Sequence, residues 1–153
     1  MKTILMLLIG FIPSLLLGQQ FDIPTEVVKT FETKFQDAED VEWNIKDGNF
    51  EASFYIDDDY TVSLFNKNGA WLETAISINQ NDISQSFIDK VYDSYKGSEI
   101  NNIFNVETAT KNQFYRIELE DDDANYTINI STKGAITEIS KILINNDEES
   151  YEE

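Results

Sequence analysis

Histidine and cysteine are both absent from the 153 residues. Without histidine the commonest general base and imidazole metal ligand are missing. Without cysteine there is no disulfide, thiol nucleophile, thiolate metal site or lipid-modified cysteine. An ordinary apolar core must carry the fold, and a chain of this size can bury one. Positive charge is scarce too, with 11 Lys and Arg against 29 Asp and Glu and a formal charge of −18. Such a surface repels phosphate backbones and anionic bilayers, which excludes nucleic acid as a natural partner. It attracts basic proteins, cationic peptides and divalent ions, and it keeps a protein soluble whether or not it meets any of them.

What is present begins with MKTILMLLIGFIPSLLLGQQ, which has one positive charge at Lys2, an apolar run through Leu17 and the small Gly18 before two glutamines. That layout is a secretory leader, its apolar run too short for a membrane span of roughly 20 residues. The expectation is a signal peptide over 1–18, export to the periplasm or beyond, and no membrane insertion once the leader is removed. At the opposite end, residues 145–153 carry almost only negative charge with no apolar period, which reads as a solvated acidic tail.

Between these segments two periodicities alternate. Pro24 suits a first helical turn, and Val28, Phe31 and Phe35 follow on one helical face, predicting a helix over roughly 24–36. Period-two alternation then marks VEWNI (41–45), FEASFYI (50–56), YTVSLF (60–65) and WLETAISI (71–78) as strands, joined by the turns KDGN, Asp57-Asp58-Asp59 and NKNG. Asp82, with Gln85 three residues on, predicts a second helix cap before Phe87, Val91 and Tyr95. Strands follow again at IFNVET (103–108), FYRIELE (114–120), a run through Tyr126, Ile128 and Ile130, and AITEISKILI (135–144). The stretches DDDYTVSLFN (57–66) and DDDANYTINI (121–130) open corresponding strands. The fold expected is α+β, two tandem repeats over 22–80 and 81–144, each a helix packed on an antiparallel sheet of about four strands, the strands forming either two sheets or one long continuous sheet.

The order VVKTFETKFQDAEDVEW, FEASFYI, an acidic turn and YTVSLFNKNGAWLET resembles the PepSY-like, beta-lactamase-inhibitor-protein-like domains of exported bacterial proteins. The features that carry the resemblance are Phe31, Phe35, Ala38, Val41, Trp43, Gly69 and Trp71, with Phe87, Tyr95, Tyr115, Tyr126 and Gly134 in the second half. The chain has Phe35-Gln36 and Ile83-Ser84 where the family commonly has Phe-Pro and Leu-Pro, and Ala135-Ile136 where an aromatic would follow the glycine. The resemblance implies a small, exported, non-enzymatic domain, for whose relatives inhibition or binding of other proteins is the usual proposal.

The inventory of chemistry agrees with a non-enzyme. No serine sits in a glycine-framed elbow or a Ser-x-x-Lys context, and the acids fall on turns and outer strand faces where water keeps them ionised. No cofactor is implied. Two groups of residues remain as candidates. If Phe54, Ile56, Val62 and Leu64 face the helix, parity sends Tyr55, Phe65, Trp71 and Phe114 to the helix-free side, where aromatics would contact a protein or peptide, favouring a basic one. The alternative is a calcium-type cation site at Asp57, Asp58 and Asp59 or at Asp121, Asp122 and Asp123. Neither triplet has the alternating ligand spacing of a calcium loop, and Asp is favoured in turns for backbone reasons alone.

Overall fold

The computed structural model describes residues 22–144; the expected leader over 1–18 and the acidic tail over 145–153 lie outside the described residues. In chain order the elements are α1 (Thr25–Lys34), β1 (Glu39–Lys46), β2 (Asn49–Ile56), β3 (Asp59–Phe65), β4 (Trp71–Ser77), a single 3₁₀ turn (Gln80–Asp82), α2 (Gln85–Ser94), β5 (Glu99–Thr108), β6 (Gln113–Glu120), β7 (Ala124–Ser131) and β8 (Ile136–Leu143). The strands form one eight-stranded antiparallel sheet in the order β1 to β8.

This corrects the expectation of two tandem helix-on-sheet repeats. β4 pairs with β5 from Glu73 opposite Thr108 to Ser77 opposite Phe104, so the ladder runs unbroken across the middle of the chain. The architecture is mostly β, with two ten-residue helices on one face of a continuous meander. The physical reason is edge satisfaction. Two separate four-stranded sheets would leave four edges of unpaired N–H and C=O groups, and joining β4 to β5 leaves two.

Each helix forms where a short apolar stripe finds a patch of sheet. In α1 the Pro24 carbonyl accepts the Val27 and Val28 amides at 2.9 and 3.2 Å, and the helix buries Val27 and Phe31. These pack with Ala52, Phe54 and Phe65, and Trp43 and Trp71 close the cluster at its margins. Helix α2 does not use Asp82 as its cap. Asp82 instead closes a capping box with Asn79 on the 3₁₀ turn, and the helix begins after Ser84. Its stripe is Ile88 and Val91, set on Ile103, Ile117, Leu119, Ile128 and Ile130, with Phe87 and Tyr95 flanking. Tyr95 donates to Glu138 on β8 at 3.1 Å. Burial and that carboxylate push its phenol up to about 12.

Both helices are seated on hairpin turns through glycine. Gly69, between β3 and β4, has φ +82°, and a Cβ there would stand 2.6 Å from the Glu26 carbonyl oxygen of α1. Gly134, between β7 and β8, has φ +78° under Phe87 of α2, and Lys90 Nζ reaches its carbonyl at 2.6 Å. Gly48, at φ +76°, has open space where a Cβ would stand. The two sites therefore separate backbone strain from steric collision. Gly48→Ala is expected to cost about 1 kcal/mol, the left-handed penalty alone. Gly69→Ala should cost roughly 2 kcal/mol or more, since α1 must also shift. Urea midpoints at unchanged m-value measure both, and equal costs would show that α1 is not held against that turn.

Candidate functional site

The face without helices is hollow. Register shifts interrupt the β1–β2, β3–β4, β5–β6 and β7–β8 ladders, and each such bulge bends and twists its strand. The bends accumulate across the sheet. Lys46 and Asn49 of the first hairpin and Ile139 and Ser140 of β8 line one depression, of about 420 Å³. In a flat sheet β1 and β8 would be seven strand spacings apart, roughly 33 Å at about 4.7 Å each. The helix-free face is therefore concave, with the first and last strands forming its two walls.

The floor of the concavity comes from alternate residues of the central strands. On β3, Val62 and Leu64 point into it; on β4, Glu73 and Ala75; on β5, Phe104 and Val106; on β6, Phe114 and Arg116. Ala75, Phe104 and Val106 form a third buried apolar cluster, with Val62 and Phe114 against it. Over this floor lies Arg116, the single arginine in the sequence. Its guanidinium crosses from β6 to Glu73 on β4, at 2.7 Å through Nη1 and 3.4 Å through Nη2, while Nε donates to Asn129 at 3.3 Å. Both side chains are about four-fifths buried, at 21% and 23% exposure. The planar fork fixes the bridge in one geometry. Tyr60 stands at the rim, 5.6 Å from Tyr55 and 6.5 Å from Phe104 between ring centres. A central hollow of about 260 Å³ is lined by Tyr60, Val62, Leu64, Phe104 and the charged residues around them.

The four aromatic candidates divide between the two faces. Tyr55 lies on the concave face, 42% exposed, and Phe114 lies on its floor, half-buried. Phe65 is fully buried on the helix side, beneath Phe31. Trp71 is also on the helix side, with Lys34 Nζ 3.8 Å above its ring and its Nε1 donating to Thr74 Oγ1 at 2.9 Å. The parity expected for β3 is thus inverted, because Val62 and Leu64 face the concavity. The cause is the turn before it. Asp57 and Asp58 both take positive φ, at 51° and 69°, so they are the two central residues of a tight hairpin and Ile56 pairs with Asp59. Counting from that pair puts Phe54 opposite Thr61 and Phe50 opposite Phe65. Reading the turn as three residues shifts every partner by one and turns β3 over. A bulge opposite Trp71 then carries that ring to the helix side with Phe65. Tyr60, Glu73 and Arg116 were missed, and the two-residue turn was the signal that would have found Tyr60.

The acidic turns serve the backbone. Asp57 and Asp58 supply the left-handed turn, for which Asp is among the better non-glycine residues. Asp121 Oδ1 accepts the Asp123 and Ala124 amides at 2.9 and 2.8 Å, and Oδ2 accepts the Tyr126 hydroxyl at 2.9 Å. No group of three or more acids among the described residues is arranged to hold a metal ion.

No family model and no curated protein matches this sequence. Solved structures do match the fold. A DUF2874 family protein from Bacteroides uniformis superposes with a TM-score of 0.66 at 16% identity, over 81% of this chain and 91% of that one. A protein from Bacteroides eggerthii, described as a candidate periplasmic protein, gives 0.65 at 15% identity over 82% and 92%. A BLIP-like protein from Bacteroides fragilis gives 0.61 at 14% identity over 87% and 94%. The fold is BLIP-like. At these identities the likeness is one of architecture, and it extends over most of the described residues. No helix among them is long and apolar enough to cross a membrane.

Asp121 also gives the fold a pH dependence. The Asp123 amide, above all, holds its carboxyl below the ordinary 3.8 against a smaller opposing effect of burial, with help from Tyr126, Ala124 and Lys141. A carboxyl depressed in the folded state stabilises above its unfolded value, and that stability is lost as pH falls through 3.8 and below. Asp121→Asn keeps the Oδ1 acceptor but has no charge to lose. Thermal melts between pH 5 and 2.5 are expected to fall less steeply in the variant, and parallel slopes would remove Asp121 from the acid limb.

Proposed function

We propose that this protein is an exported, non-enzymatic binding module that seats a protruding segment of another protein in its concave, helix-free face, inhibitor-like in that it acts by occupancy. The observation that carries this reading is the hollow itself. A sheet covered by helices on one side curls so that its bare side encloses an apolar cluster, a fixed ion pair and a rim of half-exposed tyrosines. Tyr and Arg are the residue types that most often anchor protein interfaces, and a concave floor lets them work in a partly desolvated setting.

Several further observations support parts of the proposal. The leader over 1–18 and the periplasmic description of a structural neighbour favour export. The missing histidine and cysteine, and the BLIP-like architecture, favour binding over catalysis. Kinship with PepSY-like domains belongs to the same proposal and rests on Trp43 and Trp71, which close the cluster beneath α1. Tyr55 and Phe114 are contact residues in this reading, joined by Tyr60, Leu64 and Phe104. Phe65, which is fully buried, and Trp71, on the opposite face, are structural.

The two faces provide their own control. Tyr55→Ala with Tyr60→Ala is expected to reduce retention of a partner from an envelope extract at least tenfold, as loss of two rim aromatics should. Trp71→Ala should leave retention within twofold while lowering the melting temperature. Retention lost with Trp71→Ala and kept in the tyrosine pair would place recognition on the helix side and contradict the proposal.

A further inference from the structure

Glu51, Glu73 and Glu118 line the central hollow together, and two cations share it with them. In the β2–β3–β4 ladder Glu51 and Glu73 flank Leu64 on either side. Glu73 is committed to Arg116. Glu51 meets Lys46 at 3.4 Å, but that lysine is 59% exposed and held by nothing else among the described residues. Glu118 has the Asn102 amide at 2.9 Å and no cation among the described residues. Asp47 adds another carboxylate where the hollow widens toward β8.

Negative charge therefore exceeds positive in this hollow. A concave surface with low-dielectric walls strengthens such a field, and the chain's overall charge of −18 reinforces it. Arg116 does not counter this, because Glu73 and Asn129 already take donors from all three of its nitrogens. Tyr60 and Phe104 complete the wall with aromatic rings, surfaces that a cation's alkyl stem and charged head both favour.

Resting on the binding-face reading, we propose that the hollow takes a Lys or Arg side chain from a protruding loop of the partner. Its head sits between Glu51 and Glu118, in place of the loosely held Lys46, and its stem lies along Leu64 and Tyr60. The Arg116–Glu73 bridge forms the fixed back of the pocket.

Panning a library of disulfide-closed heptapeptides on the full chain at low salt tests this without a known partner. Enriched peptides are expected to carry Lys or Arg beside an apolar residue. A synthetic representative should lose affinity at least tenfold in Glu118→Gln, which keeps the Asn102 hydrogen bond, and lose it further as salt rises. Lys46→Gln should bind severalfold more tightly, because it frees Glu51. Peptides that lack a cation and bind Glu118→Gln unchanged, yet are lost in Tyr60→Ala with Leu64→Ser, would overturn the cation pocket and leave the binding face standing. Failure to enrich, or binding indifferent to both sets of substitutions, would overturn both.

Discussion

Pairing of β4 with β5 is the constraint on which the rest of the structure depends. It converts two runs of four strands into one eight-stranded sheet and sets Ala75 beside Val106 at the centre of the bare face. A continuous, twisted sheet of that width must curl. With α1 and α2 both on one side, the other side becomes the hollow. The same pairing brings Glu73 on β4 within reach of Arg116 on β6, so the fixed ion pair is a consequence of the join.

Both faces of the sheet are apolar at their centres, for different reasons. On the helix side two clusters lie under α1 and α2, and Ser63 and Thr74 bond to each other at 3.0 Å, with Trp71 as a further donor to Thr74. These hydroxyls are buried where the strand pattern calls for apolar residues, and they are satisfied by one another. On the concave side the third cluster is sealed by curvature and by the Arg116 side chain. A strand such as β3, with Val62 and Leu64 on one face and Phe65 on the other, therefore carries apolar residues in both parities.

That double burial explains what could and could not be read in the sequence. Alternation marked each of the eight strands, and the turns at Gly48, Gly69 and Gly134 were legible because left-handed positions favour glycine. On α2 the expected stripe of Phe87, Val91 and Tyr95 has Val91 at its buried centre and its ends at the margin of the cluster, and it omits the fully buried Ile88, since apolar residues adjoin on the helix and only the sheet beneath selects between them. The orientation of β3 was not recoverable from apolar residues alone. It was encoded in Asp57-Asp58 as a two-residue turn, a question of backbone geometry. The join of β4 to β5 left no local signal, because Thr74 and Ile76 alternate equally well on an edge strand and on a central one. Arg116 and Glu73 come from different halves of the chain, and only the assembled sheet brings them together.

The hollow exists only if the single continuous sheet is curved, and a distance across it measures that curvature. The chain has no native cysteine, so Lys46→Cys and Ser140→Cys can carry a pair of spin labels on opposite walls of the hollow. Pulsed dipolar spectroscopy should give a narrow distribution centred well below the roughly 33 Å that separates the outer strands of a flat eight-stranded sheet. A distribution centred at or beyond that distance, or one broad enough to span both, would contradict the account.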